Sequence, residues 1–158
     1  MFITVKGFDA GGKIPKENTC DGFDLSPEAA WGGLPENTES LALIMEDPDA
    51  SVKTAEKPLF CHWVIYDIPP TLEGLPRDFH KLADAGEGIK QGKNDFGNPG
   101  YGGPCPRTGE HRYFFRLFAL DCILDIDPAA TGWKEIYGAM KGHVIDNAEY
   151  MGRYQRQK

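Results

Sequence analysis

NDFGNPGYGGPCPRTGEHRYFFRLFALD, residues 94–121, divides into two halves of opposite character. In the first, Gly97, Gly100, Gly102, Gly103 and Gly109 alternate with Pro99, Pro104 and Pro106. That composition is incompatible with regular structure and makes a long shaped loop. In the second, residues 113–120 are aromatic and aliphatic and read as a buried strand. Extended backbone sends alternate side chains to opposite faces. His111, Tyr113, Phe115, Leu117 and Ala119 therefore share one face, and Arg112, Phe114, Arg116, Phe118 and Leu120 the other. His111 and Tyr113 stand together at the mouth of a core strand. The glycines before them let bare backbone N–H groups approach a ligand. Imidazole, phenol and free N–H groups at one spot suit an anion such as phosphate or carboxylate.

Two more core strands lie upstream. Residues 40–47, SLALIMED, are apolar on both faces until Glu46, the pattern of a central covered strand, with Leu41, Leu43, Met45 and Asp47 on one side. Residues 59–69, LFCHWVIYDIP, put His62, Val64 and Tyr66 on one face and Trp63, Ile65 and Asp67 on the other, before Pro69 and Pro70 end the strand. Residues 2–8 read as a first strand. Residues 13–39 read as loops anchored by Trp31, with a brief helical turn at 26–28. Residues 50–58 read as loop, 71–87 as loop with one helical turn, and 89–94 as a short strand. Thr131 caps a helix carrying Trp133, Ile136, Tyr137 and Met140 at helical spacing, with Gly142 interrupting or weakening it. Residues 150–154 form a last short strand.

The chain has 158 residues, enough for one domain, 1–158, with a sizeable core. Its 19 glycines and 12 prolines point to many turns and a β-rich fold. A net charge of −7 argues against a nucleic-acid or anionic-membrane surface, so an anion site here is a local pocket. No run approaches the roughly 18 apolar residues of a transmembrane helix, and the N-terminus lacks a secretion signal. Cys20, Cys61, Cys105 and Cys122 form no CxxC pair and read as free thiols in a reducing cytoplasm.

Asp47, His62, His111 and Tyr113 each lie at the end of a core strand, and such groups converge on pockets at sheet edges. An Asp47 carboxylate accepting from a histidine N–H would fix its tautomer and favour the imidazolium, which strengthens anion binding. The plainer alternatives are a satisfied core histidine at His62 and a simple turn at Asp47-Pro48. Nucleophilic catalysis finds no GxSxG elbow, and Cys61 and His62 point to opposite faces, so no catalytic residue is assigned. Asp47, Asp49, His62 and His111 lack HxH or HExxH spacing, so no metal or cofactor is expected. Arg112 and Arg116 call for carboxylate partners, with Asp49 and Asp121 as candidates.

At these residues the chain resembles the phosphatidylethanolamine-binding protein family, in its bacterial and archaeal Raf-kinase-inhibitor-like branch. The resemblance is carried by EDPDA (46–50), CHWVIYDIP (61–69) and GGPCPRTGEHRYFFRLFALD (102–121), and extends to TCDG (19–22), SPEAAW (26–31) and GHVIDNAEYMGRY (142–154). It implies a β-sandwich with a large antiparallel central sheet and a few peripheral helices. It implies an anion pocket formed by Asp47, His62, His111 and Tyr113 and walled by Gly103 and Pro104. Asp49, Cys105 and Arg112 would support the loop. The implied ligands are phospholipid head groups, nucleotides or simple anions. A kinase or protease is the implied protein partner of an inhibitor, and a homodimer is implied for this branch. The sequence departs from the family pattern at Ser51 and Arg107, each replacing a proline. Ser51 loosens its loop, and Arg107 either reaches the pocket mouth or is solvated.

Overall fold

The computed structural model of the protein describes residues 1–50 and 58–156. Its strands are β1 (Phe2–Val5), β2 (Ala29–Gly32), β3 (Ser40–Asp47), β4 (Phe60–Ile68), β5 (Gly74–Leu75), β6 (Lys90–Gln91), β7 (His111–Leu120) and β8 (Val144–Tyr154). A helix, α1 (Trp133–Met140), lies between β7 and β8, and 3-10 turns sit at Lys16–Asn18 and Pro128–Ala130. The strands make a five-stranded sheet, β6-β4-β3-β7-β8, and a three-stranded sheet, β1-β2-β5. Every pairing within both sheets is antiparallel.

The apolar pattern of β3 explains its central place. All eight of its residues are buried, because one face meets the small sheet and the other meets α1. Leu41, Leu43 and Met45 join Trp63, Ile65, Tyr113, Phe115 and Leu117 against Ile3, Val5, Ala29, Trp31 and Leu75 of the small sheet. Ala42 and Ile44 join Cys61, Val64 and Tyr66 beneath Trp133, Ile136 and Met140 of α1. Each large apolar side chain so covered contributes roughly 1.5–3 kcal/mol of burial. The mainly β, two-sheet architecture with few helices is the one expected from the sequence.

Several local expectations change. β8 runs over Val144–Tyr154 and pairs with the length of β7, whereas only its last five residues read as strand. It is an edge strand whose alternate residues face solvent, so its apolar signal is thin. No helical turn forms at 26–28, where the Ser26 hydroxyl instead accepts from Phe79 N–H at 2.8 Å. None forms in 71–87, which supplies the short β5. The residue capping α1 is Gly132, whose N–H donates to Glu135 at 3.1 Å. Thr131 turns its hydroxyl back to the Asp127 carbonyl. α1 ends before Gly142, which adopts φ +84°, a conformation open to glycine at little cost.

Strict alternation also fails in β4. Met45 pairs with Trp63 but Glu46 pairs with Cys61. His62 is therefore the additional residue of a β-bulge, which re-aims side chains. Cys61, Val64 and Tyr66 pack beneath α1, but the His62 ring lies 5.2 Å from that of Tyr113, on the opposite face. The expected grouping of His62 with Val64 and Tyr66 is thus corrected. The bulge turns His62 toward the end of the sandwich where β3 finishes and β7 begins.

Candidate functional site at the end of the central sheet

Asp47 closes β3, Phe60 and His62 open β4, and His111 and Tyr113 open β7. With Ala50, Asp95, Phe96, Cys105, Pro106 and Arg107 they line one cavity of about 240 Å³. Aromatic edges shape it: the His62 ring sits 5.0 Å from Phe60 and 5.4 Å from Phe96. Such edge-to-face contacts hold the imidazole in one orientation.

His62 is clamped twice by one residue. Its Nδ1–H donates to the Gly102 carbonyl at 2.6 Å, and Gly102 N–H donates to the His62 carbonyl at 2.9 Å. A carbonyl only accepts, so Nδ1 carries the proton and Nε2 keeps its lone pair. Burial pushes the His62 pKa down to about 4, against the opposing pull of the Gly102 hydrogen bond. At neutral pH the ring is uncharged. The reason is desolvation: an ion among aromatic rings loses more hydration than the Gly102 and Gly103 backbone groups return.

His111 and Asp47 form a pair. His111 Nδ1 lies 2.8 Å from Asp47 Oδ2, and Nε2 lies 3.1 Å from the Thr108 carbonyl. Asp47 Oδ1 accepts from Asp49 N–H at 2.7 Å. Both ring nitrogens face acceptors and a neutral imidazole has one N–H, so the pair shares an additional proton, on the ring or on the carboxyl. Burial raises the Asp47 pKa, with the His111 hydrogen bond opposing. The pair thereby spends its hydrogen-bonding capacity internally.

Tyr113 is different. Its hydroxyl is buried and has no hydrogen-bond partner among the described residues. Leaving such a group unanswered costs about 1–3 kcal/mol, and orphans of this kind mark sites. Burial and the Asp47 charge push its pKa far up, so it remains an O–H donor. Among the described residues the cavity thus offers a donor at Tyr113 O–H and an acceptor at His62 Nε2. Besides Asp47, Arg107 and Asp95 bring charge to the lining. Arg107 is exposed at the rim, and Asp95 accepts from Cys61 N–H at 2.7 Å. Asp95 and the Phe60 and Phe96 edges were not singled out from the sequence. The one signal for Asp95 is its place in the Asn94–Phe96 turn, where Asn94 Oδ1 accepts from Phe96 N–H.

Two N–H groups of the glycine loop are spent away from the cavity. Gly102 N–H is bound to His62, and Gly103 N–H donates to Asp24 at 2.8 Å. A Cβ at Gly103 would collide with the Asn18 carbonyl and with that same carboxylate, so the close approach serves the loop's own packing. Gly103 lines an adjoining cavity with Cys20, Asp24 and Tyr101. Pro104 accepts from Cys20 N–H through its carbonyl. Neither Gly103 nor Pro104 lines the cavity with His62. Asp49 binds Arg112 by both guanidinium and backbone, with Nε, Nη2 and N–H each at 2.9 Å, and this holds its carboxyl down at about 2. Arg116 takes Glu46 and Glu149 as partners, while Asp121 pairs with His143. Ser51 lies outside the described residues.

The cysteine expectation needs correction. Cys20 and Cys105 are joined by a disulfide across 85 residues, leaving Cys61 and Cys122 free. No CxxC spacing announces a pairing made by the fold alone. The bond fastens the cavity wall at Cys105 to the loop that carries Asp21 and Asp24. It also removes Cys105 as a thiol nucleophile.

With this geometry in place, comparison with known proteins is informative. A family model for phosphatidylethanolamine-binding protein matches residues 4–155. A UPF0098 protein of Methanothermobacter thermautotrophicus is 44% identical over 156 residues, covering 99% of each chain. The crystal structure of a putative phosphatidylethanolamine-binding protein homologue from Chlamydia trachomatis superposes with TM-score 0.87 at 35% identity, covering 99% of this chain and 97% of that one. Escherichia coli YbcL, described as a new member of the mammalian family, gives TM-score 0.85 at 30% identity over 98% of both chains. A carboxypeptidase Y inhibitor shares the fold at TM-score 0.57 and 18% identity, covering 99% of this chain and 83% of that one.

Proposed function

The chain belongs to the phosphatidylethanolamine-binding protein family, and on that premise we propose that it is a non-enzymatic binding protein whose cavity captures a small phosphate-like or carboxylate group. The observation that carries this reading is the buried Tyr113 hydroxyl, without a partner among the described residues, in a cavity shared with a neutral His62. A bound oxyanion answers the hydroxyl as acceptor. The His62 Nε2 lone pair asks for a donor. A phosphomonoester monoanion supplies both, through P–O⁻ and P–OH, whereas a carboxylate supplies acceptors only. Phosphate-type ligands therefore outbind acetate. Arg107 at the rim adds attraction for the anion, and Asp95 receives a cationic group on the same ligand, as in phosphoethanolamine. Absence of a thiol nucleophile at Cys105 fits a role without catalysis.

Isothermal titration with phosphate, phosphoethanolamine and acetate tests the reading. Phosphoethanolamine affinity is expected to fall as pH rises through about 6, where the monoester loses its last P–OH. Inorganic phosphate keeps a hydroxyl as monoanion and dianion, and its profile stays comparatively flat. Parallel losses for both ligands would return the charge to a histidine. No heat from either at millimolar concentration near pH 6 rejects the proposal.

Among the described residues no helix is long and apolar enough to cross a membrane. Four free thiols were one premise of the cytoplasmic expectation, and the Cys20–Cys105 bond removes that premise, since disulfides persist mainly in oxidising compartments. Thiol trapping in intact cells decides the compartment: blocked Cys20 and Cys105 support the cytoplasm, and unreactive ones oppose it. The homodimer proposed from the resemblance is checked by sedimentation, where a single monomer species rejects it.

A further inference from the structure

At the far end of β7 from the cavity, Asp121, Cys122 and His143 bring a carboxylate oxygen, a thiol sulfur and an imidazole nitrogen within 4.8 Å of one another. We propose that this cluster is a binding site for a borderline-soft divalent cation of the zinc type, with three protein ligands and an open fourth position. Cysteine sulfur with imidazole selects zinc and its neighbours over magnesium or calcium, which prefer oxygen alone. Three protein ligands plus solvent is an established zinc arrangement.

The scaffold holds these residues in place before any ion arrives. Asp121 N–H donates to the His143 carbonyl at 3.0 Å, and His143 N–H donates to the Met140 carbonyl at 2.8 Å at the end of α1. The Ser40 hydroxyl donates to the Cys122 carbonyl at 2.6 Å. The backbone of all three ligands is therefore tied to β3, α1 and the β7–β8 pairing, and only side-chain rotation remains. His143 Nδ1 already lies 2.8 Å from Asp121 Oδ1, and a cation inserted there replaces the hydrogen-bonded proton. Tetrahedral ligand bonds of roughly 2.0–2.3 Å set donor atoms about 3.3–3.8 Å apart, so the Asp121–His143 pair opens slightly and the sulfur swings to meet the ion, within reach of rotamer adjustment. Cys122 is half-buried and free, while Cys61 is fully buried and the other two cysteines are bonded together. Cys122 is thus the thiol available to an ion. The local field is negative, with Asp67 and Asp121 both facing the thiol and Lys90, 3.7 Å from Asp67, as the neighbouring cation. Binding releases the thiol proton to solvent, which leaves a thiolate–metal bond.

The test uses untagged protein with its disulfide intact. Co²⁺ is titrated and followed by its thiolate charge-transfer absorption, and Zn²⁺ by competition with a chromogenic chelator. The expected result is about one cation per chain, a charge-transfer band that disappears in Cys122→Ser, and a Zn²⁺ affinity that falls more than about tenfold in His143→Ala. Binding that survives both substitutions overturns the proposal, as does binding lost instead in His111→Ala, which would move the ion to the cavity. No uptake of either cation also overturns it. Circular dichroism of each variant separates loss of a ligand from loss of the fold.

Discussion

Two neighbouring carboxylates in β3 lead different lives. Glu46 faces α1 and Asp47 faces the cavity, and they are 7% and 2% exposed. Glu46 accepts from Arg116 and, at 2.9 Å, from the Tyr137 hydroxyl. Arg116 continues to Glu149 and lies over the Phe114 ring at 4.6 Å. Acid, cation and phenol are all satisfied by one another. Asp47 likewise has a nitrogen partner, His111, and a phenol nearby, Tyr113, but that phenol donates to nothing among the described residues. An acid, a nitrogen side chain and a phenol thus make a closed network on one face and an open one on the other. Closed networks specify packing, and open ones wait for a ligand.

The largest break in this comparison is covalent. The cavity side is stapled by Cys20–Cys105, whereas the Glu46 side relies on packing and hydrogen bonds. Closing an 85-residue separation raises the free energy of the denatured state by about 4.5 kcal/mol in chain-entropy terms. Cys20→Ser/Cys105→Ser is expected to lose that order of stability in urea unfolding and to weaken anion binding. A loss below about 1 kcal/mol would remove the staple from the account.

Acid separates the two faces next. His62 stays neutral in the native state to about pH 4, while the unfolded chain takes up that proton near 6.5. Its contribution is complete above pH 6.5 and is lost as pH falls toward 4, about 3 kcal/mol in all. Urea midpoints between pH 7.5 and 4.5 for wild type and His62→Gln should differ in slope by this amount. Equal slopes would mean that the ring is charged in the native state.

Smaller and more selective effects come from the two phenols. Tyr113→Phe is expected to cost about 2 kcal/mol of phosphate affinity, the value of a hydrogen bond to a charged group, and to raise the stability of the ligand-free protein by about 1 kcal/mol or more, because the unanswered hydroxyl is gone. Tyr137→Phe should do the reverse. It loses about 1 kcal/mol of stability through the unpaired Glu46 oxygen and leaves titration with phosphate unchanged. If both variants lose stability and neither loses affinity, Tyr113 belongs to a closed network after all.

The parity of β7 was legible because its alternation is regular, and it put His111 and Tyr113 on one face before any fold was known. The side of Asp47 followed in the same way from the apolar run of β3. His62 was not legible, because a bulge shifts register by one residue without a marker in LFCHWVIYDIP. Asp95 was missed because its carboxylate serves Cys61 N–H from a loop distant in sequence. The first half of β8 was missed because edge strands carry little apolar signal.

By itself the sequence determined the β-rich class, the covered strands β3, β4 and β7, the family, and the placing of Asp47, His62, His111 and Tyr113 at strand ends. These follow from local composition, periodicity and motif, which need no knowledge of what lies across the molecule. Only the tertiary structure decided which way His62 faces, that Cys20 meets Cys105, that Arg116 pairs with Glu46, and that Gly102 and Gly103 spend their N–H groups internally. It also decided the neutral state of His62. Register, long-range pairing and desolvation are properties of neighbours distant along the chain, so they exist once the sheets have closed on one another.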